Sequence, residues 1–578
     1  MNKMIVSPVL AAPTPVSKTY KPSSTPSLPP LGAPVPSVPH AISCQLPKWQ
    51  DVLEFASRSG RLIAAQKGGY PRSFLHQDVR KVHDFCVKNF GSEDEICFLF
   101  PSLESANAGA SYLRAASGMH GESDPARVRV QSISFEVNDH CPGISPNVAL
   151  HALFVPKGAI NEALVYWRLT GTGISSRLAE DLIPTLSTAQ IVGSENANKY
   201  GHSSDLSTAD GELAYSTLRA RIAEFLERAP IGGPRFPKAS AKDVYLYPTG
   251  MAAIYGLTMA LRDWPGTKFV VFGFPYELTL KVQEAFAKDS VFYGFGTLSE
   301  MELLEDYLHM LSQQGTSIQA VWCECASNPL LRTVDFDRLR RLADRYGFLI
   351  IVDDTIASSA NVDVLGVADI VVTSLTKSFS GCADVMGGSV ALNPRSPFYE
   401  RLQAAVSANY RNDFYYRDAI QLEMNSRGFL ARAAVMNRNA SEIVDFLIPF
   451  ADDPKAPLRR IYYPSTCTWS TANYEARMRP PTEEFTPGYG CLFTLDFDTV
   501  DHAAIFYDAL DICKGPSLGA PVSLALPYVQ VVFSKEKPWA ARYGVRESIV
   551  RIAVGVEDVK VLRDRFARAI AVLMSKKL

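Results

Sequence analysis

Two apolar segments of this sequence end in side chains that could do chemistry. Ile350-Ile-Val-Asp-Asp354 carries an apolar run into a carboxylate, and Val371-Val-Thr-Ser-Leu-Thr-Lys377 carries another into two hydroxyls and an amine. If the second segment stays extended, Ser374 and Thr376 point to the same side, because side chains alternate along a strand. The two segments therefore predict an acid, two hydroxyls and a lysine close together.

A third segment predicts an anion site. Pro248-Thr-Gly-Met-Ala-Ala-Ile254 is typical of a loop that opens a helix. The free backbone N–H groups of Gly250 and Met251, with the helix dipole behind them, would bind a dianion. The glycine patterns of nucleotide-binding loops are absent from the sequence, which removes the main competing uses of such a loop.

Together these groups meet the requirements of pyridoxal 5′-phosphate (PLP). The phosphate fits beside Ser374, Thr376 and the helix start, and Lys377 can form an imine with the cofactor's aldehyde. A carboxylate such as Asp353 would keep the pyridine nitrogen protonated, since a nearby opposite charge typically shifts a pKa by about one to three units. Only the protonated ring withdraws electrons strongly. Each feature alone is also common in proteins without a cofactor.

The elements that must position these residues alternate in type along the middle of the chain. Apolar β-branched runs cover residues 268–272, 318–322, 348–352 and 369–372, and residues 337–345 have the periodicity of a surface helix. This alternation predicts an α/β fold with a mostly parallel central sheet flanked by helices. Ligands of such sheets bind beyond the carboxyl ends of the strands, where Asp353 and Lys377 lie.

The chain divides by composition and pattern into four parts. Strand-like residues 490–495 and 549–554 alternate with helical stretches, which predicts a smaller C-terminal α/β domain. Residues 1–40 hold ten prolines, three lysines and no acidic residue, which predicts a flexible tail. We expect the tail at 1–40, an N-terminal extension domain at 41–235, a PLP-binding domain at 236–437 and the C-terminal domain at 438–578.

Composition excludes several classes of partner. The formal net charge of −2 argues against nucleic acid, and no apolar run approaches the roughly 20 residues that span a bilayer. Ten cysteines are scattered without a disulfide-like spacing, so reduced thiols and a cytoplasmic location are expected. Cys323 and Cys325 lack a second pair that would complete a zinc site, and no metal is expected.

Several stretches resemble the Cys/Met-metabolism family of PLP enzymes, which has fold type I, and more closely its fungal cystathionine γ-synthase branch. The likeness is dense over residues 324–394, which read ECASNPLLRTVDFDRLRRLADRYGFLIIVDDTIAS and, further on, ADIVVTSLTKSFSGCADVMGGSVALNP. Residues 39–49 resemble the start of that branch's N-terminal extension. Residues 515–519, 539–544 and 550–557 resemble its C-terminal domain.

The resemblance implies roles for individual residues. Lys377 matches the Schiff-base lysine, and Asp353 matches the partner of the pyridinium nitrogen. The other matches are Asn328 for the ring hydroxyl, Gly250, Met251, Ser374 and Thr376 for the phosphate, Phe272 for the aromatic that stacks on the ring, Arg551 for the clamp on the substrate carboxylate, and Ser517 beside it. In the family a Tyr-x-Arg segment crosses from the adjacent subunit to the phosphate, and the corresponding stretch here resembles Tyr200-Gly-His202.

Three of these positions depart from the family pattern. Phe272 stands where a tyrosine is usual and has no hydroxyl to move protons. His202 replaces a permanently charged arginine, and Lys199 is a candidate to compensate. After Ser517-Leu-Gly519 the chain reads Ala520-Pro-Val-Ser523, where Thr-Asn-Phe-Thr is expected in the fungal synthases. Because that segment is expected to border the substrate pocket, the departure bears on the choice of nucleophile.

The resemblance implies a γ-substitution on an activated homoserine ester, O-acetyl-L-homoserine, with cysteine as nucleophile. The alternative is a secondary-metabolism enzyme that joins the same four-carbon unit to a carbon or nitrogen nucleophile such as a β-keto acid. Sulfhydrylase or lyase activity, and a non-catalytic relative, are further alternatives. The family also implies small amino-acid substrates and a homodimer or homotetramer with shared active sites.

Overall fold

The computed structural model describes residues 28–69, 73–120, 127–136, 147–193 and 208–576. Residues 1–27, the larger part of the predicted tail, lie outside this description. Strand β1 (Pro34–Val35) pairs antiparallel with β2 (Ser43–Cys44), and Val35 is fully buried. The expectation of a flexible tail is therefore wrong for this stretch, because a proline-rich segment that cannot form a core of its own can still bury side chains against the rest of the fold.

An antiparallel sheet forms the centre of the N-terminal part. Its strands are ordered β3-β5-β4-β6, and α3 and α6 contribute to the core beneath it. The elements are α1 (Trp49–Ser57), α2 (Gly60–Ala65), α3 (Gln77–Phe90), β3 (Glu95–Phe100), α4 (Leu103–His120), β4 (Arg129–Glu136), β5 (Asn147–Pro156), α5 (Ile160–Thr170), α6 (Ser176–Leu182), β6 (Gln190–Val192) and α7 (Ala209–Glu227).

The middle of the chain forms a seven-stranded sheet ordered β7-β13-β12-β11-β10-β8-β9. The strands from β12 to β9 are parallel, and β13 runs antiparallel to both of its neighbours. The elements are β7 (Val244–Tyr247), α8 (Gly250–Ala260), β8 (Phe269–Phe272), α9 (Glu277–Phe286), β9 (Ser290–Tyr293), α10 (Leu298–Gln313), β10 (Ala320–Glu324), α11 (Phe336–Tyr346), β11 (Leu349–Asp353), α12 (Ser358–Asn361), β12 (Ile370–Thr373), β13 (Gly388–Leu392), α13 (Tyr399–Asn409) and α14 (Tyr416–Ser426).

Local sequence explains these elements. Strand β11 is buried along its whole length, as a parallel strand covered on both faces must be. Helix α11 begins where the Asp335 carboxylate accepts the N–H of Arg338 at 2.8 Å, and it ends at Gly347 with a φ of 73°. Leu339 and Leu342 face the core from this helix. The predicted mostly parallel sheet flanked by helices is confirmed.

A second, smaller sheet with the order β14-β15-β18-β17-β16 forms the C-terminal α/β part, as expected. Helices α17 and α20 share a core with it, and α1 of the N-terminal part joins that core through Trp49 and Phe55. The elements are α15 (Phe429–Asp452), β14 (Leu458–Tyr462), α16 (Thr471–Glu475), β15 (Leu492–Phe497), α17 (Val500–Ala509), β16 (Cys513–Lys514), β17 (Leu524–Leu526), α18 (Tyr528–Val532), α19 (Lys537–Arg542), β18 (Ile549–Ala553) and α20 (Val559–Ser575). The domain limits at residues 235 and 437 remain predictions.

The carboxyl ends of β8, β10, β11 and β12 lie at one edge of the large sheet, and residues of the C-terminal part lie against that edge. Ser517 follows β16, and Arg551 lies within β18. Across the ranges that the structure describes, no helix combines the length and apolarity needed to cross a membrane.

Candidate active site

A cavity at this edge collects residues from both the large sheet and the C-terminal part. We call it the inner cavity. Its lining comprises Gly250, Met251, Ile254, Tyr276, Glu324, Asn328, Asp353, Thr355, Ile356, Ser374, Lys377, Ser517, Leu518 and Arg551. Eight of the predicted site residues are among them: Gly250, Met251, Asn328, Asp353, Ser374, Lys377, Ser517 and Arg551.

Lys377 reaches the inner cavity from a turn, not from a strand. Strand β12 ends at Thr373, and the Lys377 N–H donates to the Ser374 carbonyl at 3.2 Å. The expectation of extended chain through Thr376 was therefore wrong. The Lys377 Nζ donates to the Ser517 Oγ at 3.0 Å, which joins the lysine to the C-terminal part.

Gly250 and Met251, which are predicted to hold a phosphate, lie at the start of α8. Thr249 caps this helix, with its Oγ1 accepting the N–H of Ala252 at 2.9 Å. A Cβ atom on Gly250 would lie 2.7 Å from the Ser374 Cβ, so only glycine fits there. The Thr376 hydroxyl donates to the Gly387 carbonyl at 3.2 Å and does not line the inner cavity. Thr376 instead lines a neighbouring cavity, whose lining also includes Gly250 and Ser374.

Two carboxyl groups lie at the floor of the inner cavity. Burial raises the pKa of Asp353, and the N–H of Thr355 opposes this by donating to Asp353 Oδ1 at 2.9 Å. Burial raises the pKa of Glu324 well above its usual value, with a further contribution from Asp353. The protonated ring nitrogen of a cofactor above Asp353 would favour the ionised form of that carboxyl.

Arg551 also lines the inner cavity, where neighbouring groups hold its guanidinium in place. Its Nη1 donates to Asn328 Oδ1 and its Nη2 to the Ser517 carbonyl, each at 3.1 Å. The guanidinium carbon lies 4.9 Å from the centre of the Tyr528 ring, within the range of cation–π attraction. Asn328 Nδ2 donates to the Tyr528 hydroxyl at 3.4 Å. These contacts fix the direction of the guanidinium group.

Phe272 does not lie where the resemblance placed it. It is fully buried at the end of β8, within the main hydrophobic core, and is not part of the inner cavity's lining. Tyr276, four residues further on, lines the cavity instead. The reason is that the chain leaves the strand at Gly273, so side chains beyond the turn reach the cavity. We therefore transfer the expected stacking role to Tyr276, which has a hydroxyl.

The departure at Ala520-Pro-Val-Ser523 also lies outside the inner cavity's lining. The Ser523 N–H and hydroxyl donate to the Glu557 carboxylate, at 2.6 and 3.0 Å. The Val556 N–H donates to the Pro521 carbonyl at 3.1 Å. The segment is tied to the turn after β18, so the expectation that it borders the substrate pocket was wrong. Tyr200, His202 and Lys199 lie outside the described residues.

Sequence reasoning missed Glu324, which bridges two loops of the inner cavity. Its Oε1 accepts the Tyr276 N–H at 2.6 Å and its Oε2 accepts the Asn328 N–H at 3.1 Å. Glu324 is the first acidic residue after an apolar run, the same pattern that identified Asp353. Tyr528 was missed because its contacts with Asn328 and Arg551 depend on tertiary structure alone.

The residues present fit PLP. Gly250 leaves a cradle that any larger side chain would fill, Lys377 can bind the aldehyde, and Asp353 can face a ring nitrogen. Asn328 would face the ring hydroxyl, and Gly250, Met251 and Ser374 would hold the phosphate. Within the described part of both cavities' linings, Lys377 is the one lysine or arginine near this phosphate position.

Comparison with known proteins supports this assignment. The model of the Cys/Met metabolism PLP-dependent enzymes matches residues 238–571, and that of the fungal trans-sulfuration enzyme N-terminal domain matches residues 78–175. Alanine racemase ungC of Aspergillus violaceofuscus is 36% identical over 93% of this chain and 96% of its own. The cystathionine gamma-synthase-like enzyme iboG2 of Amanita muscaria is 36% identical over 92% and 95%. The cystathionine gamma-synthase of Neurospora crassa is 33% identical over 94% and 98%.

A solved structure shows the same fold. The structure of cystathione gamma lyase (CalE6) from Micromonospora echinospora aligns with a TM-score of 0.50 and 26% identity, covering 63% of this chain and 88% of the other. The part of this chain left uncovered is consistent with the additional N-terminal sheet.

Proposed function

Because this chain belongs to the Cys/Met metabolism family of PLP-dependent enzymes, we propose that it replaces the γ-acyloxy group of an O-acyl-L-homoserine. The cofactor is PLP. The reference reaction joins O-acetyl-L-homoserine and L-cysteine to give L-cystathionine and acetate. The bond from Cγ to the acyloxy oxygen breaks, a bond from Cγ to sulfur forms, and the thiol proton is released.

The observation that carries this proposal is the shared lining of the inner cavity. Lys377, Asp353, Asn328 and Arg551 come from four separate segments and meet there. Arg551 can bind a carboxylate with two parallel hydrogen bonds, which lysine cannot reproduce. Only an amino acid needs a lysine for its Cα proton and an arginine for its carboxylate in one cavity.

The chain's own residues have separable tasks in this reaction. When bound, PLP supplies an electrophilic aldehyde and a ring that stabilises negative charge next to it. Arg551 binds the substrate carboxylate and orients Cα toward Lys377. The Lys377 amine removes the Cα proton and moves a proton at Cβ, while Ser517 Oγ accepts its hydrogen bond in the resting arrangement. Asp353 supplies the fixed negative charge below the ring.

A carbon or nitrogen nucleophile such as a β-keto acid is the second candidate. Alanine racemase ungC and the cystathionine gamma-synthase-like enzyme iboG2 are each 36% identical to this chain, against 33% for the Neurospora cystathionine gamma-synthase. The small difference favours testing both nucleophiles. The Phe272 and Ala520-to-Ser523 departures no longer support this candidate, because neither lies in the lining of the inner cavity.

The test uses the purified full-length chain reconstituted with PLP. It is incubated with O-acetyl-L-homoserine and either L-cysteine or acetoacetate, and products are identified by mass. Cystathionine as the only adduct supports the synthase, and a carbon–carbon adduct without cystathionine rejects it. O-Succinyl-L-homoserine in parallel identifies the leaving group. A protein that shows no visible absorbance of lysine-bound PLP would be a non-catalytic relative, and alanine racemisation without acetate release would reject γ-substitution.

We also propose a homodimer or homotetramer with shared sites, and a cytoplasmic location. Light scattering on the purified protein tests the first. A fluorescent fusion in a fungal host tests the second.

A further inference from the structure

A second cavity adjoins the inner cavity on the far side of Lys377. We call it the outer cavity. Gly250, Ser374 and Lys377 line both cavities, so the two share a boundary. The opposite wall of the outer cavity comes from the N-terminal part of the chain, with Trp167 from α5, Val79 from α3 and Leu75 just before α3.

The shared boundary sets the direction of a bound amino acid. Arg551 lines only the inner cavity, and Lys377 lines both. A substrate with its carboxylate on Arg551 and its Cα beside Lys377 can direct its side chain away from Arg551. That direction leads past Lys377 into the outer cavity. The γ-carbon, and whatever attacks it, would therefore lie against the N-terminal wall.

The described part of the N-terminal wall has polar groups but no lysine, arginine, aspartate or glutamate side chain. Burial lowers the pKa of His40 to about 4, and its Nδ1 lies 3.0 Å from the Ser176 Oγ. Burial also lowers the pKa of His76, whose Nδ1 accepts the N–H of Asp78 at 3.3 Å. Both shifts favour the neutral imidazole. Each ring also lies 3.4 Å from a carboxylate, Glu180 for His40 and Asp78 for His76, and neither acid lines the outer cavity. Of the residues described in this lining, Lys377 is the one with a lysine, arginine, aspartate or glutamate side chain.

We infer that the outer cavity receives the nucleophile and that its N-terminal wall selects a nucleophile without fixed charges. This inference rests on the proposed function. A zwitterion such as free cysteine would bring two charges against aromatic, aliphatic and neutral imidazole groups. Leaving charges without partners in such surroundings is costly, whereas an uncharged thiol or carbon acid loses little. The N-terminal part thus determines specificity. Among the nucleophiles of the second candidate, the inference favours an uncharged carbon acid over a β-keto acid, which carries a carboxylate.

Matched nucleophiles test the selection. L-Cysteine is compared with 2-mercaptoethanol, and acetoacetate with methyl acetoacetate, each against O-acetyl-L-homoserine. Acetate release without a nucleophile is measured separately, since it reports the first half of the proposed reaction. We expect the uncharged member of each pair to have the higher kcat/KM. Acetate release together with a preference for both charged members would overturn the inference and leave the proposed function intact. Absence of acetate release would reject both.

The nucleophiles of each pair also differ in intrinsic reactivity. A charge introduced into the N-terminal wall tests the effect of the wall alone, because the same nucleophiles are compared in both variants. Leu75→Arg places a guanidinium group in the outer cavity, and Leu75→Met is the uncharged control of similar length. We expect Leu75→Arg to raise the ratio of kcat/KM for cysteine over 2-mercaptoethanol by about tenfold, the gain expected of one hydrogen bond to a charged group. Leu75→Met should leave the ratio near its wild-type value.

Ser176→Arg, with Ser176→Ala as control, repeats the test from α6 if Leu75→Arg does not fold. Visible absorbance of bound PLP and unchanged acetate release identify variants that retain an intact inner cavity. Equal ratios for the arginine variant and its control, in protein that passes both checks, would overturn the inference.

Discussion

The inner and outer cavities share a boundary at Lys377 but differ in chemistry. The described lining of the inner cavity includes Asp353, Glu324 and Arg551, whereas that of the outer cavity has no acid or arginine. The charged groups come from the large sheet and the C-terminal part, and the neutral wall comes from the N-terminal part. We therefore assign binding of the α-amino and α-carboxylate groups, which all amino acids share, to the inner cavity. Binding of the nucleophile, which varies among related enzymes, is assigned to the outer cavity.

Hydrogen bonds tie together the segments that line the inner cavity. Ser517 has a φ of 103°, a conformation that non-glycine residues rarely adopt, and its carbonyl and hydroxyl contact Arg551 and Lys377. Glu324 ties the loops of Tyr276 and Asn328 together. Changes in the inner cavity should therefore affect every substrate, and changes in the outer cavity should affect only the nucleophile.

The largest effect is expected from Lys377→Ala, at the boundary of the two cavities. Loss of the amine should lower turnover by roughly 10³-fold or more with every nucleophile, because both the covalent and the proton-transfer roles disappear. The visible absorbance of lysine-bound PLP should disappear with it. Spectra and product formation are measured on the same preparation, and persistent turnover would contradict the assignment of the site.

Arg551→Lys tests whether the inner cavity recognises the carboxylate. The variant keeps the charge but loses the paired hydrogen bonds, so KM for O-acetyl-L-homoserine should rise roughly 10- to 100-fold. The KM for the nucleophile should change little, because the nucleophile lies in the outer cavity. Steady-state kinetics with each substrate varied in turn give both values. Equal increases in the two KM values would contradict the assignment of the two substrates to separate cavities.

Two substitutions of Tyr528 distinguish the contribution of its ring to holding Arg551 from the contribution of its hydroxyl. Tyr528→Leu removes the ring beneath the guanidinium group and should raise KM for the homoserine ester by about 3- to 10-fold. Tyr528→Phe keeps the ring and removes only the hydroxyl that Asn328 contacts, so a change of about 2- to 5-fold is expected. Steady-state kinetics on both variants shows which of them has the higher KM for the homoserine ester. A larger effect from phenylalanine would show that the hydroxyl, not the ring, positions the arginine.

The smallest effect is expected from Asp354→Asn, behind the inner cavity. Burial raises the pKa of Asp354 from 3.8 to about 7, and its Oδ1 accepts the Thr373 hydroxyl at 2.6 Å. Because the folded pKa exceeds the unfolded one, ionisation opposes folding. The penalty is absent well below the unfolded pKa and grows by about 1.4 kcal/mol per pH unit until the folded pKa is reached.

Asp354→Asn removes this titration. Its apparent Tm, relative to the wild type, should therefore be higher at pH 8 than at pH 5 by about 2 °C. The penalty grows by about 3 kcal/mol between pH 5 and the folded pKa, and the unfolding entropy of a chain of this length is about 1.2 kcal/mol per degree. Differential scanning calorimetry at both pH values gives the comparison. A difference that is equal at the two pH values would show that Asp354 does not titrate in this range.

Local patterns were sufficient for the large sheet and for the residues at its strand ends. The run before Asp353 became β11, and the apolar run before Ser374 became β12, as its β-branched composition favours. The helix start at Gly250 depends only on the residues around it. The pattern failed at Thr376 and the resemblance failed at Phe272, because each lies next to a point where the chain leaves its strand and side-chain alternation no longer applies.

Residues joined only by tertiary contact could not be found from local patterns. Tyr528 and Asn328 are 200 positions apart, and the tyrosine's environment as a support for Arg551 exists only in the fold. Val35 illustrates the same limit, since the composition of the segment around it predicts a flexible tail and its burial depends on a surface formed by other segments.

The sequence by itself determined the large sheet and the positions of Lys377 and Asp353 near its strand ends, because strand ends and helix starts are local features with short-range physical causes. Only the tertiary structure decided which aromatic faces the inner cavity and what holds Arg551 in place. It also brought the N-terminal part against Lys377 to form the outer cavity. These arrangements depend on how separate elements pack, and packing joins side chains whose separation along the chain carries no periodic pattern.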